Sequence, residues 1–274
     1  MDYIQRRGEY IPLEQRQLVS RRYHVVTQAV NRAFWNSQSD TDHSLYVGSY
    51  GRNTAIETSD IDILVCLPEH EYKRYDAVYG NGQSRLLQAV RRTILSSYPR
   101  SDVRADGQVV KIEFKDGISF EILPAFENRN YYYGYSSATT YTYPDTNMGG
   151  NWKSTNPKAE QEAMAAKNKA TNGLLNDTCK HIRYIRDNYF SSYHLSGIVI
   201  DSFVYHAMGF WRWLDFGEPS TSPRGTFENT LLQYFNDHYA YAYGSNLLAP
   251  GSNQAVNLED SRVGLSKVLN YICG

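Results

Sequence analysis

Hydrophobic positions along the chain follow helical and strand-like periods in turn. Between residues 13 and 35 apolar side chains recur at three- and four-residue steps, which predicts an amphipathic helix. Residues 84–98 show the same spacing, and Pro99 is expected to end that helix. Short apolar runs at residues 44–47 and 61–67 predict strands. The first part of the chain therefore combines helices with strands.

The middle of the chain predicts an antiparallel hairpin. Asp106 and Asp116 each precede a glycine and flank the apolar run 109–114, and a second run follows at residues 118–123. Asp-Gly between apolar runs is a strong signal for a tight turn between strands. Residues 127–156 are then rich in Tyr, Ser, Thr, Asn and Gly, too long and polar for a simple connection. We interpret this stretch as a functional loop or a crossing between lobes.

Helical spacing governs the remainder of the chain, where Asn156 is a suitable N-cap and Pro157 suits a first helical position. These elements predict an α+β fold with two lobes. The first lobe, residues 1–150, would hold a mixed, twisted sheet with flanking helices, and the second, residues 151–274, would be helical. The helix at residues 13–35 is expected to pack across both lobes. Helices of the second lobe are predicted at residues 158–170, 174–189, 197–213, 226–243 and 259–272.

Composition and charge exclude several classes of protein. The hydrophobic fraction of 41% and charged fraction of 21% are ordinary for a globular protein and exclude a disordered or collagen-like chain. A formal net charge of -1 gives no broad positive field, so we expect no stable nucleic-acid partner. No apolar run reaches the roughly 20 residues of a membrane span. Three widely spaced cysteines do not suggest a disulfide framework, so we expect a cytoplasmic protein, and we expect a monomer.

Two aspartates lie two residues apart at the start of the apolar run 61–67. Because side chains of a strand alternate between faces, Asp60 and Asp62 are expected on one face, and Ile61 and Ile63 on the other. Like charges so close repel each other without a cation between them. Hard divalent ions such as magnesium prefer carboxylate oxygens, so the pair predicts a metal site. The structural alternative is a loop end or a chance pair on a surface strand.

A further carboxylate lies in the second strand of the predicted hairpin. Glu121 is the only acidic residue of that strand, and a lone carboxylate among apolar residues is costly unless it is paired or binds a metal. Two-metal phosphoryl transfer usually needs such a carboxylate. The alternative is an ion pair with Lys111 or Arg104 on a neighbouring strand. Glu113 and Glu127 are the competing choices for the third acid.

The dipeptide formed by Gly48 and Ser49 precedes the aspartate pair, with room for a short helical turn between them. A glycine lets backbone N–H groups approach an anion closely, the serine hydroxyl adds a donor, and a following helix N-terminus favours negative charge. Gly-Ser alone is common, and its meaning comes from this position one strand before Asp-x-Asp. Thr54 and Ser59 are available to brace the loop.

The stretch from Gly48 to Asp62, followed by the strand of residues 120–126, resembles the polymerase-beta-like nucleotidyltransferases, in which Gly-Ser, Asp-x-Asp and a third acid follow in this order. More narrowly, it resembles the group of cyclic GMP-AMP synthase (cGAS) and the bacterial cyclase DncV, the CD-NTases of antiphage defence. Residues 143–157 are similar to the segment by which the bacterial enzymes enter their helical lobe. The third acid is usually Asp in these families and is Glu121 here.

The resemblance implies an enzyme that condenses nucleoside triphosphates (ATP, GTP or pyrimidine nucleotides) into a cyclic di- or trinucleotide second messenger and releases pyrophosphate. The product would activate a separate effector in CBASS-type signalling, and the active site would lie in the cleft between the lobes. Asp60 and Asp62 would hold Mg²⁺ carrying the triphosphate, with Mn²⁺ as a possible substitute. Glu121 would help to bind the ion near the acceptor hydroxyl, and Gly48 and Ser49 would grip the departing phosphates.

Other nucleotide contacts are expected from residues that also have ordinary structural roles, and Thr54 is one of them. Lys180 and Arg183 are neighbours on one face of a predicted helix and would bind the triphosphate, or simply form a solvated face. Ser196 resembles a nucleotide-contacting serine of the family in position, and could equally be a helix cap. Tyr50 and the tyrosines at 131–133 would stack on bases, or belong to a tyrosine-rich surface.

Two other functions remain open from the sequence. A different transferase of the superfamily would add a nucleotide to RNA, a protein or a small molecule, although the near-neutral charge counts against RNA. A non-catalytic nucleotide-binding protein would keep the fold without turnover. The three intact carboxylates argue against this last function.

Overall fold

The chain forms two compact units that interleave along the sequence. The computed structural model describes residues 2–6, 11–128, 131–132, 135–136, 139–215, 217–241 and 246–274. The first, here called the sheet unit, comprises Pro12–Gly51 and Ser59–Pro157. The second, the helical unit, comprises Met1–Ile11, Arg52–Thr58 and Lys158–Gly274. The sequence predicts a single domain boundary at residue 150, and this stays a prediction. The boundaries of the two compact units do not coincide with it.

The sheet unit is a mixed sheet with flanking helices, as predicted. Its elements are α1 (Leu13–Val30), a π-helical turn (Asn31–Trp35), β1 (Ser44–Tyr46), α2 (Gly48–Gly51), β2 (Ile61–Cys66), α3 (Glu69–Asp76), α4 (Gly82–Ser97), β3 (Asp102–Asp106), β4 (Val109–Glu113), β5 (Ser119–Asn128), β6 (Tyr131–Tyr132), β7 (Tyr135–Ser136), β8 (Thr140–Asp145), a 3₁₀ turn (Asn147–Gly149) and β9 (Asn151–Thr155). The main strands run in the order β1-β2-β5-β4-β3, with β2 and β5 parallel and the other neighbours antiparallel. Strand β8 pairs with the end of β5 and β9 pairs with β8, whereas β6 and β7 pair with each other.

The alternation of β2 decides which side chains enter the main core. Ile61, Ile63 and Val65 lie in the hydrophobic cluster that also contains apolar residues of α1 and α4. Leu64 lies in a second, smaller cluster. Since successive side chains of a strand point to opposite faces, Asp62 shares the face of Leu64 and lies away from the main core. The carboxylate is therefore half-buried rather than enclosed among apolar side chains.

The polar stretch at residues 127–156 is more regular than the predicted loop. It contains the end of β5 and all of β8 and β9, so the interpretation as a loop is wrong for these segments. Thr and Tyr fit a half-buried pleated surface well, and alternation in β8 buries Tyr141 to 3% exposure. The tyrosines at 131 and 132 fall in β6, and Tyr133 lies outside the described residues.

The helical unit packs its helices around one apolar cluster. Leu175, Ile182, Phe203, Leu231 and Leu265 are fully buried members of that cluster. Its elements are α5 (Pro157–Ala170), α6 (Leu174–Tyr189), α7 (Gly197–Ala207), α8 (Thr226–His238), β10 (Leu247–Leu248), β11 (Ala255–Val256), a 3₁₀ turn (Glu259–Ser261) and α9 (Arg262–Cys273).

Two of these helices are shorter than the sequence predicts. Helix α7 ends at Ala207 rather than 213, where Gly209 adopts a left-handed conformation with φ of 53° that ends regular helical structure. Helix α8 ends at His238, and residues 242 and 243 of the longer predicted helix lie outside the described residues. Across the described ranges, none of the helices has both the length and the apolar content needed to cross a membrane.

Candidate active site

Asp62 and Glu121 are direct neighbours in the sheet. Strands β2 and β5 run parallel, and their register places Asp62 opposite Glu121. Paired residues of adjacent strands, about 5 Å apart, carry their side chains on the same face. Both side chains are half-buried, and Asp60 is exposed immediately before β2 begins at Ile61. The structure therefore places Asp62 beside Glu121, and Asp60 lies just before the strand.

Gly48 packs directly against Asp62. A Cβ atom at Gly48 would lie 1.8 Å from Asp62 Oδ2, and the glycine has a φ of 58°, in the left-handed region. The Val47 N–H donates to the Asp62 carbonyl oxygen over 2.9 Å, and the Gly51 N–H donates to the Val47 carbonyl over 2.9 Å. A side chain at position 48 would collide with the carboxylate, so only glycine fits this close approach.

Ser49 and Tyr50 follow in α2, a single helical turn of four residues. Both are half-buried. The Tyr50 ring lies 4.8 Å from the Tyr46 ring, which in turn stacks on Tyr23 at 4.2 Å. Tyr50 thus has aromatic neighbours within the sheet unit, and its stacking on a nucleobase stays a prediction.

Glu121 also forms the ion pair that was considered as its alternative role. Lys111 is the register partner of Glu121 on β4, and its Nζ lies 3.0 Å from a Glu121 carboxylate oxygen. The hydrogen bond that Lys111 donates to Glu121 is the main cause that raises the pKa of Lys111, and Asp106 adds to this effect from 3.4 Å. The carboxylate therefore lies between a lysine on one side and the strand of Asp62 on the other.

The competing acids occupy other surroundings. Glu113 pairs with Arg104 on β3, at the open side of the sheet. Glu127 lies beyond the β2 register and is the partner of Tyr141 on β8. Of the three acids considered, Glu121 is the one that the β2 register places beside Asp62.

The donor set suits a hard divalent cation, although it is not gathered into a preformed cage. Within the part of the chain that the structure describes, no three His, Cys, Asp or Glu side chains are grouped so as to hold a metal ion. Asp62 and Glu121 nevertheless present carboxylate oxygens from adjacent strands, the ligand type that Mg²⁺ prefers. Lys111 contacts one Glu121 carboxylate oxygen, and because a carboxylate offers about four lone-pair sites, Glu121 has acceptor capacity for a cation beside this lysine.

Thr54 and Arg183, both predicted nucleotide contacts, lie in the helical unit and are engaged with Asp201. The Thr54 hydroxyl donates to Asp201 Oδ2 over 2.9 Å, and Arg183 forms a two-point ion pair with Asp201 at 2.7 and 2.9 Å. Arg183 is only 1% exposed, and Lys180 is buried in the same helix. These positions give Thr54 and Arg183 structural partners inside the protein, and their contact with a nucleotide remains a prediction.

Ser196 lies directly before α7. Its side chain makes no cap hydrogen bond to the helix, and its N–H donates to Ser261 Oγ over 3.0 Å. Ser196 lines a cavity of about 370 Å³ together with Glu160, His194 and Gln254. The geometry therefore leaves the hydroxyl beside an open space, which is compatible with the predicted ligand contact.

The chain matches a family of nucleotide-joining enzymes over its first part. Residues 6–168 fit the model of the Second Messenger Oligonucleotide or Dinucleotide Synthetase (SMODS) domain, more than half of the sequence. The chain belongs to this family. The resemblance to the cGAS and DncV group of CD-NTases is thereby confirmed.

One curated relative of this SMODS protein is a probable cyclic nucleotide synthase of Bacillus cereus (strain VD146), 26% identical over 162 residues. The alignment covers 57% of this chain and 45% of the relative, so the chain matches less than half the length of that protein.

Solved structures share the fold of the SMODS protein at low identity. A STING-associated CdnE c-di-GMP synthase from Capnocytophaga granulosa aligns with a TM-score of 0.63 and 16% identity, covering 93% of this chain and 80% of the other. A CdnE c-UMP-AMP synthase from Rhodothermus marinus, solved with Apcpp and Upnpp, gives 0.58 and 18%, covering 92% and 88%. The predicted α+β nucleotidyltransferase fold is confirmed.

Sequence reasoning missed two charged residues of the SMODS protein, Arg52 and Asp201. Arg52 Nε donates to Asp201 Oδ2 over 2.8 Å, although 149 positions separate the two residues. The signal was present, because Asp201 is the only acidic residue in the apolar helix α7. The argument applied to Glu121, that a lone carboxylate among apolar residues needs a partner, would have identified Asp201 as well.

Proposed function

We propose that this SMODS protein is a nucleotidyltransferase that condenses nucleoside triphosphates into a cyclic di- or trinucleotide and releases pyrophosphate. The observation that carries the proposal is the alignment of Asp62 with Glu121 on adjacent parallel strands, with the Gly48 turn packed against Asp62. A phosphate-binding turn and a carboxylate pair in direct contact suit a reaction at the α-phosphate of a bound triphosphate.

The residues of the sheet unit would have separate roles in this reaction. Asp60 and Asp62 would hold a divalent cation, with Glu121 as a third ligand, and Gly48 and Ser49 would bind the departing phosphates through backbone N–H groups and the serine hydroxyl. A bound Mg²⁺ or Mn²⁺ would neutralise phosphate charge and lower the pKa of the acceptor hydroxyl.

Transfer then forms one bond and breaks another. The acceptor hydroxyl oxygen bonds to the α-phosphorus, the bond to the bridging oxygen of the β-phosphate breaks, and pyrophosphate leaves with that electron pair. The hydroxyl proton passes to solvent. Holding the two reacting atoms in line is what the carboxylates and the Gly48 turn contribute, since orientation alone accounts for a large part of such rate enhancements.

Relatives support the cyclic product and the choice of triphosphates. The two solved structures described above are a c-di-GMP synthase and a c-UMP-AMP synthase, and the curated relative is a probable cyclic nucleotide synthase. We extend this to the present chain, with a separate effector that reads the product in antiphage signalling of the CBASS type. A cytoplasmic location and a monomeric state complete the proposal.

The test is incubation of the purified protein with all four labelled triphosphates and MgCl₂, without any acceptor. We expect release of pyrophosphate and a labelled product that resists phosphatase, because a closed ring carries no terminal phosphate. Digestion of this product, followed by chromatography, would identify its bases. Activity that appears only after addition of RNA, protein or a small-molecule acceptor would point instead to the alternative transferases.

The double variant Asp60→Asn, Asp62→Asn tests the proposed metal site. Each change removes one negative charge with little change in shape, so we expect wild-type folding by circular dichroism and loss of pyrophosphate release. Titration with Mn²⁺ should show weakened binding in the same variant. Pyrophosphate release at the wild-type rate by the double variant would refute the proposed site.

A further inference from the structure

The segment Arg52–Thr58 has an unusual place in the chain. It follows the Gly48–Gly51 turn and precedes Asp60 and Asp62 in sequence, yet it belongs to the helical unit rather than the sheet unit. Two residues of the segment, Arg52 and Thr54, are buried and polar. The chain that joins the proposed phosphate turn to the proposed metal strand is therefore anchored by contacts of its own within the helical unit.

Asp201 of α7 is the centre of that anchor. Its Oδ2 accepts hydrogen bonds from Arg52 Nε at 2.8 Å, Thr54 Oγ1 at 2.9 Å and Arg183 Nη2 at 2.9 Å. Its Oδ1 accepts from Arg183 Nη1 at 2.7 Å. Two of these donors come from the segment and the third from α6, so one carboxylate joins the segment to two helices.

A second carboxylate binds the other side of Arg52. Arg52 Nη1 donates to Glu160 Oε2 of α5 over 2.9 Å, and Ser252 Oγ lies 3.4 Å from Glu160 Oε1. The four charged side chains are Arg52, Glu160, Arg183 and Asp201, two of each sign, and all are buried. A balanced, hydrogen-bonded cluster of this kind holds its members in a fixed geometry, since any rotation leaves a buried charge without a partner.

The two carboxylates of the cluster differ in how firmly they hold a charge. Burial alone would raise the pKa of Asp201, which is 0% exposed, but the Arg183 and Arg52 guanidiniums lower it below the ordinary value of an aspartate. Burial raises the pKa of Glu160, and Arg52 only partly opposes this effect. Asp201 is thus the carboxylate whose negative charge the surroundings favour.

Exposed contacts of the segment are weaker anchors. Thr58 Oγ1 donates to Asp187 Oδ2 over 2.6 Å near the surface, where water competes for both groups. The buried contacts of Arg52 and Thr54 are therefore stronger anchors of the segment than this exposed one.

We propose that Asp201 is a positioning residue for nucleotidyl transfer, acting through Arg52 and Thr54 to fix the segment that connects the Gly48–Gly51 turn with Asp60 and Asp62. The inference rests on the proposed function and adds to it a residue that touches neither substrate nor metal. Loss of this anchor should disturb the placement of the reacting groups while leaving the carboxylates themselves intact.

The experiment compares the full-length wild type with Asp201→Asn and Glu160→Gln. Both variants remove one carboxylate charge beside Arg52, but only Asp201→Asn alters the bonds to Thr54 and Arg183. Pyrophosphate release at saturating and limiting triphosphate gives kcat and KM, thermal unfolding gives the folded fraction at the assay temperature, and hydrogen–deuterium exchange reports the amides of residues 52–58.

We expect folded Asp201→Asn to lose about 10- to 100-fold in kcat, the size of effect that misplaced reacting groups produce, with a small change in KM. Amides of residues 52–58 should exchange faster, by a larger factor than the amides of α8 and α9. The loss of kcat in Glu160→Gln should be at least about 3-fold smaller than the loss in Asp201→Asn. A wild-type kcat in folded Asp201→Asn, equal losses in both variants, or faster exchange spread evenly over the helical unit would each overturn the inference.

Arg52→Gln provides a second route if Asp201→Asn does not fold. This variant removes the bond between Arg52 and Asp201 by changing Arg52 instead of Asp201. We expect the same loss of kcat and the same faster exchange, measured at residues 53–58. A folded Arg52→Gln with wild-type kcat and wild-type exchange would overturn the inference. Should the wild type release no pyrophosphate from any triphosphate, the proposed function fails, and the exchange data alone decide whether Asp201 orders the segment.

Discussion

Asp62 Oδ2 fills the space beside Gly48 that a side chain at that position would need. The carboxylate lies 1.8 Å from where a Cβ atom of residue 48 would be placed, while the backbone of the same turn bonds to Asp62 through Val47. Two features that the sequence presents separately, a Gly-Ser dipeptide and an Asp-x-Asp pair, are therefore one local structure. Changes to the glycine should reach the carboxylate directly.

Gly48→Ala should damage both stability and activity. The left-handed φ of 58° costs an alanine on the order of 1–2 kcal/mol, and the new methyl group must also displace the Asp62 side chain. We expect urea denaturation to show a loss of about 2 kcal/mol or more, and pyrophosphate release to fall steeply even in the folded fraction.

Gly117→Ala is the matched control for backbone strain. Gly117 also has a positive φ, 85°, but a Cβ atom there would meet nothing within 4 Å. This variant should lose stability through strain alone and keep the wild-type rate of pyrophosphate release per folded molecule. Equal activity in the two variants would contradict a role for the close contact between Gly48 and Asp62.

Asp145 should make the stability of the sheet unit sensitive to acid. Its buried carboxylate accepts from Lys153 at 2.5 Å and from the Asn147 N–H at 3.0 Å, and these bonds lower its pKa from 3.8 to about 2. A depressed folded-state pKa stabilises the protein above the unfolded value, and this contribution is lost as the pH falls through the folded value. Asp145→Asn should cost about 2 kcal/mol at pH 7, by urea denaturation.

The difference between wild type and Asp145→Asn should shrink between about pH 4 and pH 2. Asp116→Asn is a suitable comparison, because the Arg22 hydrogen bond lowers the pKa of Asp116 but the carboxylate is 40% exposed and screened by water. We expect its effect to stay below about 1 kcal/mol. A constant difference for Asp145→Asn across this pH range would exclude the linkage.

Elements with strong local patterns are the ones the sequence predicts well. Strand β2 follows from its short apolar run, and helix α4 follows from its helical spacing and from Pro99, all of which is local information. Strands β8 and β9 were missed because Thr, Tyr and Asn look polar until the pairing of β8 with the end of β5 is known. Such long-range pairing is invisible to a local window.

The candidate site shows the same division. The types of the acidic residues and their strands are local information, so Asp62 and Glu121 could be named in advance. Their register depends on how β2 and β5 pair, and the Lys111 contact depends on β4, so only the structure shows both partners of Glu121. Likewise, Arg52 and Asp201 are far apart in sequence, and their ion pair requires the tertiary fold.

The charge cluster of the helical unit predicts unequal costs for two similar substitutions. Asp201→Asn leaves the buried Arg183 without its two-point partner, a change that typically costs about 3–5 kcal/mol. Glu160→Gln should cost less than this, because burial already disfavours the charged form of Glu160 and Arg52 keeps its bond to Asp201. Urea denaturation at pH 7 measures both, and similar losses would contradict the central place of Asp201.

Glu121 lies between Asp62 on β2 and Lys111 on β4. Two substitutions tell whether the reaction depends on the Glu121 carboxylate itself or on its ion pair with Lys111. If Glu121 serves as a ligand for the cation, Glu121→Gln should lower pyrophosphate release by about 100-fold, as loss of one charge-stabilising group typically does. Lys111→Met keeps the carboxylate and removes only the ion pair at 3.0 Å, so its loss should be about 10-fold at most.

Glu113→Gln completes the comparison, since Glu113 was a competing choice for the third acid and pairs with Arg104 at the open side of the same sheet. Its rate should equal that of wild type, because neutralising an exposed ion pair leaves the carboxylates beside β2 unchanged. Of these three variants, only Glu121→Gln should bind Mn²⁺ more weakly than wild type. The contrary result would be equal losses of pyrophosphate release in Glu121→Gln and Lys111→Met, with unchanged Mn²⁺ affinity in both. Glu121 would then support the sheet through its ion pair with Lys111, and the cation would be bound by Asp60 and Asp62 without Glu121.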